Sequence, residues 1–296
     1  MSQGSKVANG KTVPVVAVLN MKGGVGKTTV AANVMRAIFD TKKRVQLIDF
    51  DPQMNLTQLL LQPATYQVLK ASNQTMLSVM ESAPNTSLFN VTTNSISPPL
   101  PSAVSRQLRY FTQSPDIDIR LASGDFGMVK YSLIDGSGGT LAPVRARFSS
   151  FIAEAKKDRD VICIDCNPSS TFLTVSALEV ATHILVPIKP DRYSVLGLEM
   201  LHRFVEQLPN LTTKPKFIVL LNDVPRAQYD NSVESSVRSH PNFASNTLSA
   251  ILHHSKILAA HPKHTGFAAE RKGPYKSQAI TNVKSVANEL VTELGL

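Results

Sequence analysis

Two cysteines are the whole thiol inventory of this 296-residue chain, which excludes a disulfide framework. Cys163 and Cys166 spell C-x-x-C, yet both fall in the strand-like run VICIDC, and no second Cys or Cys/His pair follows. Residues three apart on a strand point to opposite faces, so the pair reads as core rather than as a redox or zinc site, in a reducing, cytoplasmic compartment. Long apolar runs are also missing: none approaches the roughly 18–20 residues of a membrane span. The opening MSQGSKVANGKT has no apolar h-region, so residues 1–12 read as a flexible lead-in and not as a secretion signal. No internal repeat and no linker divides the rest, which leaves a single domain over 13–296.

What is present is a core and a charge. Hydrophobic residues make up 43% of the chain and charged ones 18%, a balance that packs rather than one that stays disordered. The formal charge is +9, and a basic surplus of this kind points to an anionic partner.

Strand-like runs alternate with helix-like ones. Strands are expected at 13–20, 44–50, 117–124, 161–165, 183–188 and 216–223, with a last one at 247–254. Helices are expected near 27–39, 143–157, 171–181, 194–208 and 277–294. Such alternation predicts an α/β, doubly wound, mostly parallel sheet with helices on both faces. Two polar insertions interrupt it, about 62–115, expected to be part helical and part irregular, and 224–247.

Between the first strand and its helix stands NMKGGVGKTT, Asn20 to Thr29. Glycines let a loop turn its N–H groups toward an anion, and the helix N-terminus behind it adds its dipole. Gly23, Gly24, Val25, Gly26, Lys27, Thr28 and Thr29 are therefore candidates to hold ATP. Lys27 would neutralise the β/γ-phosphates, and the Thr28 hydroxyl would ligate Mg²⁺. The run VICID ends on Asp165, placed to hold Mg²⁺ through water. Asp49 and Asp51 end the second strand, where doubly wound folds bind ligands.

The loop has Met21 where an ordinary P-loop has its first glycine, and an additional lysine, Lys22, before Gly23-Gly24. This resembles the deviant Walker A loop of the ParA/MinD family. LIDFDPQMNLT likewise resembles the D-x-D-P-Q-x-N-x-[ST] motif of the ParA branch, and MinD-like relatives usually lack its Pro-Gln. After Asp165 the chain has Asn167 where those proteins carry the first of two prolines.

The resemblance implies a short-form, ParA-type partition ATPase without an N-terminal helix-turn-helix. In that reading Lys22 contacts the ATP of the opposite subunit in a homodimer, Asp51 positions the attacking water, and Asp49 supports the metal. Asn222 and Pro225 would contact adenine. Hydrolysis would be slow and stimulated by a ParB-like centromere-binding partner. The ATP state would bind DNA non-specifically and sit on the nucleoid, away from membrane. The stretch 251–276 carries five Lys/Arg against one Glu; there Lys256, Arg271, Lys272 and Lys276 would contact DNA, with Arg226 and Arg238 as weaker candidates. A MinD-like membrane regulator and a ParA-like positioner of protein cargo are the alternatives. A metabolic amidoligase-like enzyme would need a small-molecule pocket that the sequence does not display. Asp125-Phe126-Gly127 spells a kinase motif without the other kinase signatures, and Gly136–Gly139 reads as a loop.

Overall fold

The computed structural model describes residues 12–83, 87–93, 97–134, 141–169, 171–209, 211, 213–227, 229–259 and 264–296. Most of the lead-in, the Gly136–Gly139 loop and Lys263 lie outside the described residues.

Strands β1 (Val15–Val18), β2 (Val45–Phe50), β3 (Ser105–Phe111), β4 (Ser114–Ala122), β5 (Val161–Cys166), β6 (His183–Ile188) and β7 (Lys216–Leu221) form one sheet. Their spatial order is β3-β4-β2-β5-β1-β6-β7. Every neighbouring pair is parallel except β3–β4. Strands β1, β2 and β5 are buried at every position, as strands covered on both faces must be.

Alternate side chains feed two cores. Val15 and Ala17 join Phe50, Ile162 and Ile164 on one face; Val16 and Val18 join Leu47, Val161 and Cys163 on the other. Cys166 belongs to the first core and Cys163 to the second, so the two thiols sit on opposite faces of β5.

Helices α1 (Lys27–Asp40), α2 (Asn55–Leu60) and α3 (Pro63–Ala71) cover the second face, together with the closing helix at Lys276–Glu293. The first face is covered by α4 (Met76–Met80), α5 (Pro101–Val104), α6 (Lys130–Leu133), α7 (Ala142–Ala155), α8 (Phe172–Val180), α9 (Ser194–Gln207) and α10 (Ser232–Ser239). The closing helix is α11. None of the described helices is long and apolar enough to cross a membrane.

The stretch 62–115, expected as part helical and part irregular, contributes α3, α4, α5 and the edge strand β3, which pairs antiparallel with β4 through two register shifts. One expectation changes. The segment 247–254 is not a full strand. It meets the sheet at two isolated bridges, Val219 with Thr247 and Val224 with His253. The reason lies in α11. Glu289 accepts from Ser249 N and Ala250 N at 2.7 and 2.8 Å, and Asn282 accepts from His253 N at 2.8 Å. Leu248 N and Leu252 N donate to Val219 O and Leu221 O, but Ala250 N between them is taken by Glu289, and the ladder is interrupted there.

The chain passes from β1 through α1 to β2 on one side, while β6 and β7 lie on the other. The winding therefore reverses at β1, and the crevice beyond the strand carboxyl ends at such a point is where open α/β sheets bind ligands.

Candidate functional site

Three strand ends meet at this crevice. Asp165 on β5 stands in register with Val18 of β1 on one side and Asp49 of β2 on the other. Directly beyond β1 the loop runs to Gly26, and α1 begins at Lys27. Gly24 and Gly26 take φ of +73° and +86°, a region closed to most L-residues at a cost of about 1–2 kcal/mol. A Cβ at Gly26 would also lie 2.4 Å from Asn222 Nδ2. Gly26→Ala is expected to leave the fold intact, lower stability by about 1–2 kcal/mol and weaken nucleotide binding at least tenfold. Thermal unfolding and titration with a fluorescent ATP analogue check both effects.

The loop is braced from two neighbouring strand ends and once within itself. Asn20 donates its side-chain amide to Pro187 O at the end of β6 (2.9 Å) and accepts from Lys22 N (2.9 Å). Asn222, closing β7, donates to Val25 O at 2.7 Å. Gly24, Gly26, Thr29, Asn222, Asp223 and His254 are among the walls of a cavity of about 200 Å³ beside the loop. Asn222, expected at the adenine, meets the phosphate loop through Val25 O and lines that cavity, whereas Pro225 is exposed and does not line it.

Lys27 is buried, and among the described residues its ammonium finds only two long contacts, Asn20 O at 3.3 Å and Lys22 O at 3.4 Å. Burial lowers its pKa, while the charges of Asp165 and Asp51 oppose that shift. Lys22 points elsewhere: its Nζ lies 2.5 Å from Asp191 Oδ2, in the loop after β6.

The carboxylates are a concentrated, desolvated set. Asp165 Oδ2 accepts from the Thr28 hydroxyl at 2.7 Å, and its Oδ1 is buried without a partner among the described residues. Burial pushes the Asp165 carboxyl well above its ordinary range, and the neighbouring Asp49 adds to this. Asp49 is fully buried and pushed up to about 7 by desolvation, although Thr57 opposes the shift. Thr57 gives Asp49 Oδ2 both its backbone N–H (2.7 Å) and its hydroxyl (2.6 Å), and Gly124 N donates to the same hydroxyl oxygen at 2.9 Å. Asp51 accepts from Gln53 N at 2.9 Å, and burial raises its pKa as well. An orphaned carboxylate oxygen beside a threonine hydroxyl, with two more carboxylates nearby, is the hard-oxygen donor set that Mg²⁺ takes. The residues present fit that ion.

Thr57 and Asn20 were not singled out by role, although both stand inside the motifs. The final [ST] of the acidic motif and the residue opening the loop segment were the available signals. Asp191 gave none, because its contact with Lys22 joins residues 169 positions apart.

The basic stretch is partly assembled. Lys256, Arg271 and Lys272 line one cavity of about 520 Å³ together with Arg226, and Lys276 opens α11 beside it. Lys256, Lys272 and Arg226 are exposed. Arg271 instead donates to Ile257 O and Ala259 O, both at 2.5 Å. Arg238 is spent on Glu234 and on Leu248 O. Asp125 accepts from Gly127 N and the Thr75 hydroxyl, which accounts for the kinase-like triplet as a turn.

A P-loop after a central strand, with strand-end carboxylates on its flank, defines a P-loop nucleotide-binding α/β protein. Comparison with known proteins narrows the class. A family profile described as AAA domain (AAA_31) matches residues 13–218. The chromosome partitioning protein ParA of Caulobacter vibrioides is 30% identical over 230 residues, 76% of each chain. The chain accordingly belongs to the AAA_31 family, and within it to the ParA-type partition ATPases. A Sinorhizobium fredii relative is 28% identical over 64% of this chain, and the match spans only 43% of that protein's length.

Solved structures share the fold at low identity. Cobyrinic acid a,c-diamide synthase from Mycobacterium smegmatis, with an ATP analogue and magnesium bound, gives a TM-score of 0.67 at 22% identity over 95% of both chains. pNOB8 ParA bound to nonspecific DNA gives 0.65 at 18% identity, over 96% of this chain and 99% of that one.

Proposed function

We propose that the protein is a Mg-ATP-dependent switch that dimerises around ATP, binds DNA without sequence preference in that state, and is released when a ParB-like, centromere-bound partner stimulates hydrolysis. The observation that carries the ATPase reading is the buried Lys27 ammonium with only long carbonyl contacts, beside Thr28 and the unpartnered Asp165 Oδ1. A cation so poorly satisfied in the protein itself is suited to phosphate oxygens.

In this reading the backbone N–H groups of Gly23–Thr29 cradle the phosphates and Lys27 neutralises the transferring one. Thr28 and Asp165 hold Mg²⁺, with Asp49 fixed behind them by Thr57. The metal, when bound, neutralises phosphate charge. Asp51 orients the attacking water, and Lys22 of each subunit reaches the nucleotide of the other. Asn222 lines the base end of the site, and Pro225 flanks it. Intrinsic turnover is slow, since a switch that hydrolyses quickly stores no state.

DNA contact falls to the exposed lysines of the C-terminal surface, Lys256 and Lys272, with Lys276 and Arg226 beside them and Arg271 bracing the loop that carries Lys256. A protein of this fold, pNOB8 ParA, has been solved bound to nonspecific DNA, which supports the DNA step; the choice of surface rests on the exposed basic side chains. Arg271→Ala is therefore expected to lower stability by about 1–2 kcal/mol through two orphaned carbonyls, measured as a fall in the urea midpoint. Lys272→Ala should leave that midpoint unchanged.

The test is DNA binding by the purified chain with ATP, ADP or no nucleotide across a salt series. Binding in ATP alone, with the log–log salt slope reduced in Lys256→Ala/Lys272→Ala by about 2 for each subunit of the dimer that contacts DNA, is the expected result. Dimers that form with ATP but bind no DNA at any salt would remove the DNA step and turn attention to protein cargo.

A further inference from the structure

We propose that Asp191 is a positioning residue that stows Lys22 in the nucleotide-free subunit, so that dimer formation around ATP must first break the Lys22–Asp191 pair in each protomer. The inference rests on the reading in which Lys22 acts across the dimer.

The geometry sets a fixed post and a movable arm. Asp191 is held by its own turn: its Oδ1 accepts from Tyr193 N and from the Ser194 hydroxyl, both at 3.1 Å, and its carbonyl accepts from Ser194 N at 3.0 Å. Its remaining oxygen, Oδ2, meets Lys22 Nζ at 2.5 Å. Among the described residues Asp191 has no other ion-pair partner, because the nearby Lys189 is taken by Asp223 at 2.7 Å. The root of Lys22 is equally fixed, through its N–H to Asn20, and Asn20 is tied to Pro187 on the strand that leads to Asp191. Only the lysine side chain has to move. Both side chains are partly open to solvent, at 44% and 36% exposure, so water and ions can reach the pair and separate it.

The stowed contact keeps Lys22 away from Lys27 and the phosphate loop while no phosphates are present to neutralise two cations in one short turn. Its strength is that of an exposed pair, about 1.4- to 5-fold in an equilibrium constant. A dimer breaks two such pairs, so the dimer dissociation constant carries the square, between about two- and thirty-fold.

Asp191→Asn removes the charge and keeps an oxygen for Tyr193 N and Ser194. Sedimentation equilibrium of the full chain with Mg²⁺ and a slowly hydrolysed ATP analogue measures dimerisation of the wild type, Asp191→Asn, Lys22→Ala and the double variant. Asp191→Asn is expected to dimerise two- to thirty-fold more tightly, with the gain shrinking as salt rises and vanishing in the Lys22→Ala background. A thermal midpoint for Asp191→Asn lowered by no more than the worth of one exposed pair confines the effect to the pair. Asp191→Asn dimerising no more tightly than wild type, or gaining as much without Lys22, overturns the stowing role. Wild-type dimerisation by Lys22→Ala overturns the cross-dimer reading beneath it, an outcome the single-variant data distinguish.

Discussion

Lys27→Ala is expected to lower ATP hydrolysis by roughly 10²–10³-fold, the usual loss when a preorganised group that stabilises transition-state charge is removed. The nucleotide-free protein should lose little. Lys27 is buried, its ammonium reaches two carbonyls only at 3.3 and 3.4 Å, and burial already disfavours its charge. Against this, Asp165 and Asp51 lose a nearby cation. These effects oppose, so the urea midpoint should shift by less than about 1 kcal/mol equivalent while phosphate release collapses. Steady-state phosphate release and urea unfolding, measured on the same preparation, check both halves. A Lys27→Ala protein that hydrolyses ATP within tenfold of wild type would place the transition-state charge somewhere else.

Lys130→Met is expected to cost about 3–5 kcal/mol of stability, the range for breaking a buried ion pair by removing one partner. Lys130 and Glu81 are both fully buried, 3.0 Å apart. The ammonium also donates to Asn90 O at 3.0 Å. Glu81 accepts from the Tyr131 hydroxyl at 2.9 Å and from Thr92 N at 3.0 Å. Three stretches of chain, 81, 90–92 and 130–131, are thus joined through one ion pair, and the substitution leaves its carboxylate desolvated without the cation. Adding Glu81→Gln should recover part of the loss, because an amide still accepts from Tyr131 or Thr92 without a charge. Urea midpoints of the single and double variants give the comparison; a single-variant cost under 1 kcal/mol would mean that water reaches the pair.

This polar knot also illustrates what sequence reading misses. The region 62–115 offered no strong periodicity, and Glu81, Asn90 and Lys130 give no sign in the chain that they meet. The edge strand β3 was hidden similarly, since its exposure alternates only loosely and its partner β4 is paired through register shifts. The 247–254 segment failed in the opposite direction. Its apolar pattern suits a strand, but Glu289 of α11 takes the Ala250 donor that a continuous ladder would need.

The sequence by itself determined the class of fold and the centre of the site. Buried parallel strands write themselves as short apolar runs, and a phosphate loop needs its glycines, lysine and threonine contiguous, because one backbone turn must present all of them to one anion. Strand-end carboxylates are legible for the same local reason. The tertiary structure alone decided which distant groups meet. Lys22 and Asp191 are 169 positions apart, Thr28 and Asp165 are 137, and Asn222 and Val25 are 197. Their contacts follow from the strand order that sets β5 and β6 on either side of β1 and β7 next to β6. That order is fixed by burial of whole faces, summed over two cores, and no local stretch of sequence contains it.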